Sequence, residues 1–190
     1  MIMAPRLRKL VLAVHLSCSV GWLGAVVAYL VLDLTVASGN DPRLVRAAWL
    51  GMGLVVSWAI VPLALASLAT GLVMALGTKW GLFRHWWVLV SLVLTIVATV
   101  VLLSESGVVT RIAAMAASSS MSDEAVLAFP PTLLHSIGGL AVLLVVQVLN
   151  VYKPQGVTPY GWRRQEEERR RLQPRVTRTP AADAVEPGSP

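Results

Sequence analysis

Three histidines, His15, His85 and His135, are the side chains in this sequence best suited to chemistry within its apolar stretches. Neutral imidazole is a good ligand for haem iron or copper, so a haem b site is the sharpest chemistry they could support. Two axial ligands must face one iron from opposite sides and therefore need similar depth. The plainer alternative is that each ring hydrogen-bonds a neighbouring helix or anchors at a membrane surface. Other reactive patterns do not arise. The single cysteine, Cys18, can close no internal disulfide and belongs to no Cys-based metal motif. There is no hydrolase nucleophile set and no phosphate loop. Gly51-Met52-Gly53 lies inside an apolar run without a preceding strand, so dinucleotide binding is unsupported.

The elements that must position these residues follow from where charge is absent. Of 190 residues, 56% are hydrophobic and 14% charged, against about 25% charged in ordinary soluble domains. Leu10 to Leu32 and Ala47 to Leu76 contain no Asp, Glu, Lys or Arg, and neither do Trp86 to Leu103 and Leu133 to Tyr152. A helix rising about 1.5 Å per residue needs about 20 residues to cross a hydrocarbon core about 30 Å thick. Helix is the only form in which a lone segment pairs its own backbone in lipid. The expected fold is all-α: a polytopic four-helix membrane bundle with spans at about 10–32, 49–76, 86–103 and 133–152. An N-terminal segment 1–9 and a basic tail 153–190 flank the transmembrane domain 10–152. Pro62 predicts a kink or tilt in the long second run, and Trp49 falls at its interfacial first turn. The first run far exceeds the 7–15 apolar residues of a cleaved signal peptide and is expected to persist as a helix.

With four spans, both termini share a side. That side collects Arg6, Arg8, Lys9, Lys79, Arg84, Lys153 and seven arginines beyond Tyr160, thirteen of the sixteen Lys and Arg; only Arg43, Arg46 and Arg111 fall opposite. Positive charge marks the cytoplasm, so the expected topology is N-in, C-in and the expected location the cell membrane. Basic residues that flank apolar segments point to topology and to anionic lipid headgroups, not to nucleic acid. Of the outer connections, Asp33 to Arg46 reads as a modest loop. In Ser104 to Pro131, Val108 to Ala117 is predicted as an interfacial helix, Ser122-Asp123-Glu124 as a helix start and Pro130-Pro131 as its stop. In the tail, Glu166 with Arg170 and Glu167 with Arg171 stand four apart, which supports a short solvated helix. From Pro174 onward the composition predicts disorder.

At 100° per residue the first helix carries two stripes. Ser17, Gly21, Gly24 and Ala28 fall within about 60° of one another, and small residues let membrane helices approach closely. His15, Cys18, Ser19, Trp22 and Tyr29 form a polar and aromatic stripe elsewhere on the circumference. The second helix repeats the small-residue pattern at Gly53, Ser57, Ala64, Ser67, Gly71 and Ala75. Ser91, Thr95 and Thr99 ascend the third, and Thr132, His135, Ser136, Gly139, Gln147 and Asn150 share one side of the fourth. These faces describe a compact bundle with a mildly polar interior, packed through Ser17, Gly21, Gly24, Ala28, Ser57, Ala64, Gly71 and Gly139. The expected spans hold no Asp, Glu, Lys or Arg, which argues against a proton-driven pump or ion channel.

His15 lies about 8 Å inside the cytoplasmic end of its helix, His85 stands at the interface on the same side, and His135 starts the last span near the other surface. This spacing does not favour bis-histidine haem. His15 followed by Trp22-Leu23-Gly24, with Thr70-Gly71-Leu72 late in the second helix, resembles a broad group of bacterial four-helix membrane proteins. The group includes the membrane haem protein acting as protoporphyrinogen oxidase and the membrane domain of copper-resistance protein D. Trp80-Gly81-Leu82-Phe83-Arg84-His85-Trp86-Trp87, Val151-Tyr152-Lys153-Pro154 and Thr158-Pro159-Tyr160-Gly161 are similar to stretches in a family of uncharacterised actinobacterial membrane proteins. The resemblance covers about residues 8–164. It implies a first-helix haem ligand at His15, while the third-helix lysine used by the haem-binding relatives has Ser91 in its region.

The reading that needs least is an integral membrane bundle without catalytic chemistry, working beside a membrane-protein partner or as a homo-oligomer. The alternatives are a haem-binding redox protein with His15 and either His85 or His135, and a transporter of metal ions or small solutes.

Overall fold

The computed structural model describes residues 3–77, 81–118 and 120–172. Four helices are long and apolar enough to cross a membrane: α1 (Pro5–Ser38), α2 (Pro42–Gly77), α3 (Trp86–Ala117) and α5 (Leu133–Tyr152). Two shorter ones complete the described chain, α4 (Asp123–Leu127) and α6 (Pro159–Leu172). Each long helix runs against the one before it. The neighbours α1–α2, α2–α3, α3–α5 and α5–α1 close a ring. One end, the terminal end, gathers the start of α1, the α2–α3 turn and α6, where Met3 N–H donates to the Gly77 carbonyl and Trp86 N–H to that of Gly156. The opposite, loop end carries α4 and the remaining connections. The expected tail disorder falls on residues outside the described ones.

Helix ends follow local chemistry. Asp41 caps α2 by accepting from Arg43 N–H at 2.9 Å, and Pro42 occupies the first turn, where its missing N–H costs nothing. Ser122 caps α4 through Ala125 N–H at 3.2 Å, and the Pro130-Pro131 pair lies just past its end. Lys153, at φ 46°, closes α5 in the left-handed conformation, with Pro154 behind it.

Three boundaries depart from the sequence reading. First, α1 continues to Ser38 and brings Asp33 into the helix. Second, α3 does not stop at Leu103; the Val108 to Ala117 segment is its continuation and not a separate interfacial helix. Third, α2 answers Pro62 with a π-helical turn at Val56–Ile60. Proline offers no N–H and crowds the carbonyl four residues back, here that of Trp58, and a widened turn relieves both.

The core is densest toward the loop end. Val45, Trp49, Met52, Ala116 and Val126 are each 1% exposed or less. Trp49 was expected at a lipid interface but is buried, its ring edge-on to Phe129 with centroids 6.1 Å apart. Arg46 ties this end together. Its guanidinium donates to the carbonyls of Ala116, Ser118 and Met121 and pairs with Asp123.

Candidate functional site

Helix α1 places Tyr29 and Asp33 one turn apart on the face that meets α5. The Tyr29 hydroxyl lies 2.8 Å from Thr132 Oγ1. Asp33 Oδ1 accepts from Thr132 N–H at 2.8 Å, and Oδ2 accepts from the Ser136 hydroxyl at 2.7 Å. Asp33 has no exposed surface. A buried carboxylate is costly unless hydrogen-bonded, and here two donors and the positive end of α5 meet it together. In effect a residue of α1 caps the last membrane helix, whose own Thr132 makes no side-chain cap bond.

On the other side of α5, His135 Nε2 stands 3.7 Å from Glu105 Oε1 of α3, and both side chains are partly exposed. Glu105 and His135 sit at the mouth of a half-open cleft of about 240 Å³ lined by all four long helices. One water needs only about 10–15 Å³ of such space. Trp22, Ile60, Leu94, Ala98 and Leu143 form its apolar depth. Among the lining residues, Val97 and Val101 of α3 and Leu134 and Gly138 of α5 are exposed, so the cleft opens sideways between these two helices. Gly138 and Gly139 have nothing within 4 Å of where a Cβ would stand, leaving that wall open.

The depth of this mouth can be read from α5. Its 20 residues make about 30 Å of helix, one hydrocarbon thickness. Asp33 and Glu105 stand beside its first turn, and the cleft runs from that turn toward the middle of the helix.

A second polar seam joins α1 to α2 in the terminal half. His15 Nδ1 is 3.1 Å from both the Ser67 carbonyl and Thr70 Oγ1. A carbonyl can only accept, so Nδ1 carries the proton and Nε2 keeps the lone pair. Ser19 Oγ donates to the His15 carbonyl and lies 2.8 Å from Ser67 Oγ. The ring rests against Gly71, where a Cβ would come within 3.0 Å of it. His85 stands apart at the head of α3, bridged through its backbone to Val157. The three histidines thus have separate neighbours. Among the described residues no three His, Cys, Asp or Glu side chains gather as a metal site would require. For haem, His15 offers the right tautomer for one ligand, and neither of the other histidines shares its space. Ser91 is buried, and its hydroxyl has no hydrogen-bond partner.

The predicted packing residues divide. Gly21 meets Leu63, Ala64 is fully buried and Gly71 meets His15. Ser17, Gly24, Ala28 and Ser57 are exposed, and Gly139 faces the cleft. On α1 the stripe turned inward is instead the polar and aromatic one: Trp22 and Tyr29 are buried, and His15, Cys18 and Ser19 partly so. Polar groups find no partner in lipid and must turn toward other helices, whereas small residues tolerate either surroundings.

Asp33 and Glu105 escaped the sequence reading because each lies just beyond an expected span. The signal for Asp33 was available: it stands four residues after Tyr29, and the apolar pattern continues through Leu34 and Val36 up to Gly39.

At the terminal end two of the three stretches named above meet each other, residues 81–87 and 158–161. Thr158 donates through its hydroxyl to the Phe83 carbonyl and through its N–H to that of Arg84. Gly161 lies so close to the Arg84 carbonyl that any Cβ would collide with it, and Arg84 pairs with Glu168. No family model, curated protein or solved structure matches the chain.

Proposed function

We propose that this is a non-catalytic multi-pass protein of the cell membrane that binds an apolar or amphiphilic guest in the cleft between α3 and α5. The observation that carries this reading is the cleft itself: apolar in its depth, polar at its mouth, and open toward lipid. Sites for small molecules generally pair an apolar lining with a few convergent polar groups. Arg6, Arg8, Lys9, Arg84, Lys153 and the arginines of α6 lie at the terminal end, which supports N-in, C-in topology with the cleft mouth outside. The same basic end would meet anionic headgroups.

The experiment is native mass spectrometry of the protein released from nanodiscs. The wild-type protein retains bound lipid or another hydrophobic molecule, and Ala98→Trp, which fills the cleft, loses it. Equal retention by both proteins counts against the cleft.

The bond from His15 Nδ1 to the Ser67 carbonyl favours a second reading, a haem-binding redox protein in which His15 would hold iron through Nε2 and haem would supply one-electron chemistry. A reduced-minus-oxidised spectrum of protein from haem-replete membranes decides it. A Soret band lost in His15→Ala supports haem; no band at all removes it.

A further inference from the structure

The cleft mouth has a definite charge. Among its twenty lining residues Glu105 is the one carboxylate, and none is Lys or Arg. Asp33 adds a second carboxylate behind Ser136, which itself lines the cleft. Glu105 Oε1 and His135 Nε2 are 3.7 Å apart, beyond the about 3.2 Å of a direct hydrogen bond. A donor set beside the pair meets the Glu105 carboxylate, which only accepts. The apolar walls begin on the adjoining turns, at Val101 and Leu102 of α3 and Gly138 of α5.

From this juxtaposition we infer that the guest is a cationic amphiphile, with its ammonium between Glu105 and His135 and its hydrocarbon tail laid between α3 and α5. The inference rests on the binding function proposed above and adds the chemistry of the head. An ammonium carries three donors and a full positive charge. A hydroxyl head of the same length forgoes the ion pair, and a carboxylate head meets Glu105 as a like charge. Position favours the amine as well, because at the edge of the apolar layer a charged head stays hydrated on one side while the ion pair is only partly screened.

The test uses the full chain in phosphatidylcholine nanodiscs, titrated by calorimetry with dodecylamine, dodecanol and dodecanoate, with empty nanodiscs subtracted. Dodecylamine is expected to bind saturably and about tenfold tighter than dodecanol, which corresponds to about 1.4 kcal/mol. Dodecanoate should bind weakest. Glu105→Gln should reduce the amine preference to under about twofold, and Ala98→Trp should weaken both ligands. Ser106→Lys, which keeps Glu105 and sets beside it a cation that cancels its charge, should bring dodecylamine and dodecanol to within about twofold of each other; it serves as the check if Glu105→Gln does not fold. Equal binding of amine and alcohol by the wild type, or an amine preference that survives Glu105→Gln or Ser106→Lys, overturns the cationic head and leaves the cleft standing. If none of the three ligands binds saturably, the cleft reading falls with it.

Discussion

At the loop end the contact between helices is made by Val45, Trp49, Met52, Ala116 and Val126, all essentially closed to solvent. At the terminal end the α1–α2 contact is made by His15, Ser19, Ser67 and Thr70, of which only Ser67 is buried. The two ends of one bundle are therefore held by different forces. Helices α1, α2 and α3 have 34, 36 and 32 residues against 20 in α5, and past the first turn of α5 α3 runs on for twelve residues beyond Glu105 and α1 for five beyond Asp33. In the proposed membrane placement this end meets water, where the hydrophobic effect packs helices as it packs a soluble core. Within the apolar layer lipid is as apolar as leucine, and helices are joined by close contact and hydrogen bonds worth about 0.6 kcal/mol each.

This contrast can be broken or sharpened by substitution. The largest effect is expected from Trp49→Ala, about 3–5 kcal/mol of lost stability, as for other fully buried aromatics; reversible denaturant unfolding in mixed micelles measures it. A loss below about 1 kcal/mol would mean that the loop end is not a water-driven core. Asp33→Ala comes next, at about 3 kcal/mol, because it removes a charged acceptor from two donors, one of which is the Thr132 backbone. His15→Ala should cost about 1 kcal/mol, since its two bonds, to Ser67 and Thr70, lie inside the bundle at about 0.6 kcal/mol each. A cost as large as that of Trp49→Ala would erase the distinction between the ends. Gly161→Ala should leave the unfolding midpoint almost unmoved and free α6 from the α2–α3 turn, seen as faster hydrogen exchange from Tyr160 to Leu172 and nowhere else.

The membrane spans were legible in the sequence because absence of charge over 18 or more residues is a coarse and robust signal. What could not be read was where the spanning helices continue into water. Asp33 and Glu105 look like loop residues when the eye stops at the first charge, yet α1 and α3 run through them. The same cut-off hid the polar mouth of the cleft. Pro62 was legible as a disturbance, but whether a helix kinks or widens there is settled by its neighbours. The small stripe of α1 was read as a contact face from periodicity alone. Its orientation depended on which stripe had partners across the bundle, and His15 and Tyr29 found theirs on α2 and α5.

The junction of α6 with the α2–α3 turn bears on synthesis. Thr158 bonds the carbonyl of a residue 75 positions earlier, so the turn before α3 stays uncovered until residues 158–161 have been made. A chain cut short before Gly161 leaves the Phe83 and Arg84 carbonyls without these partners.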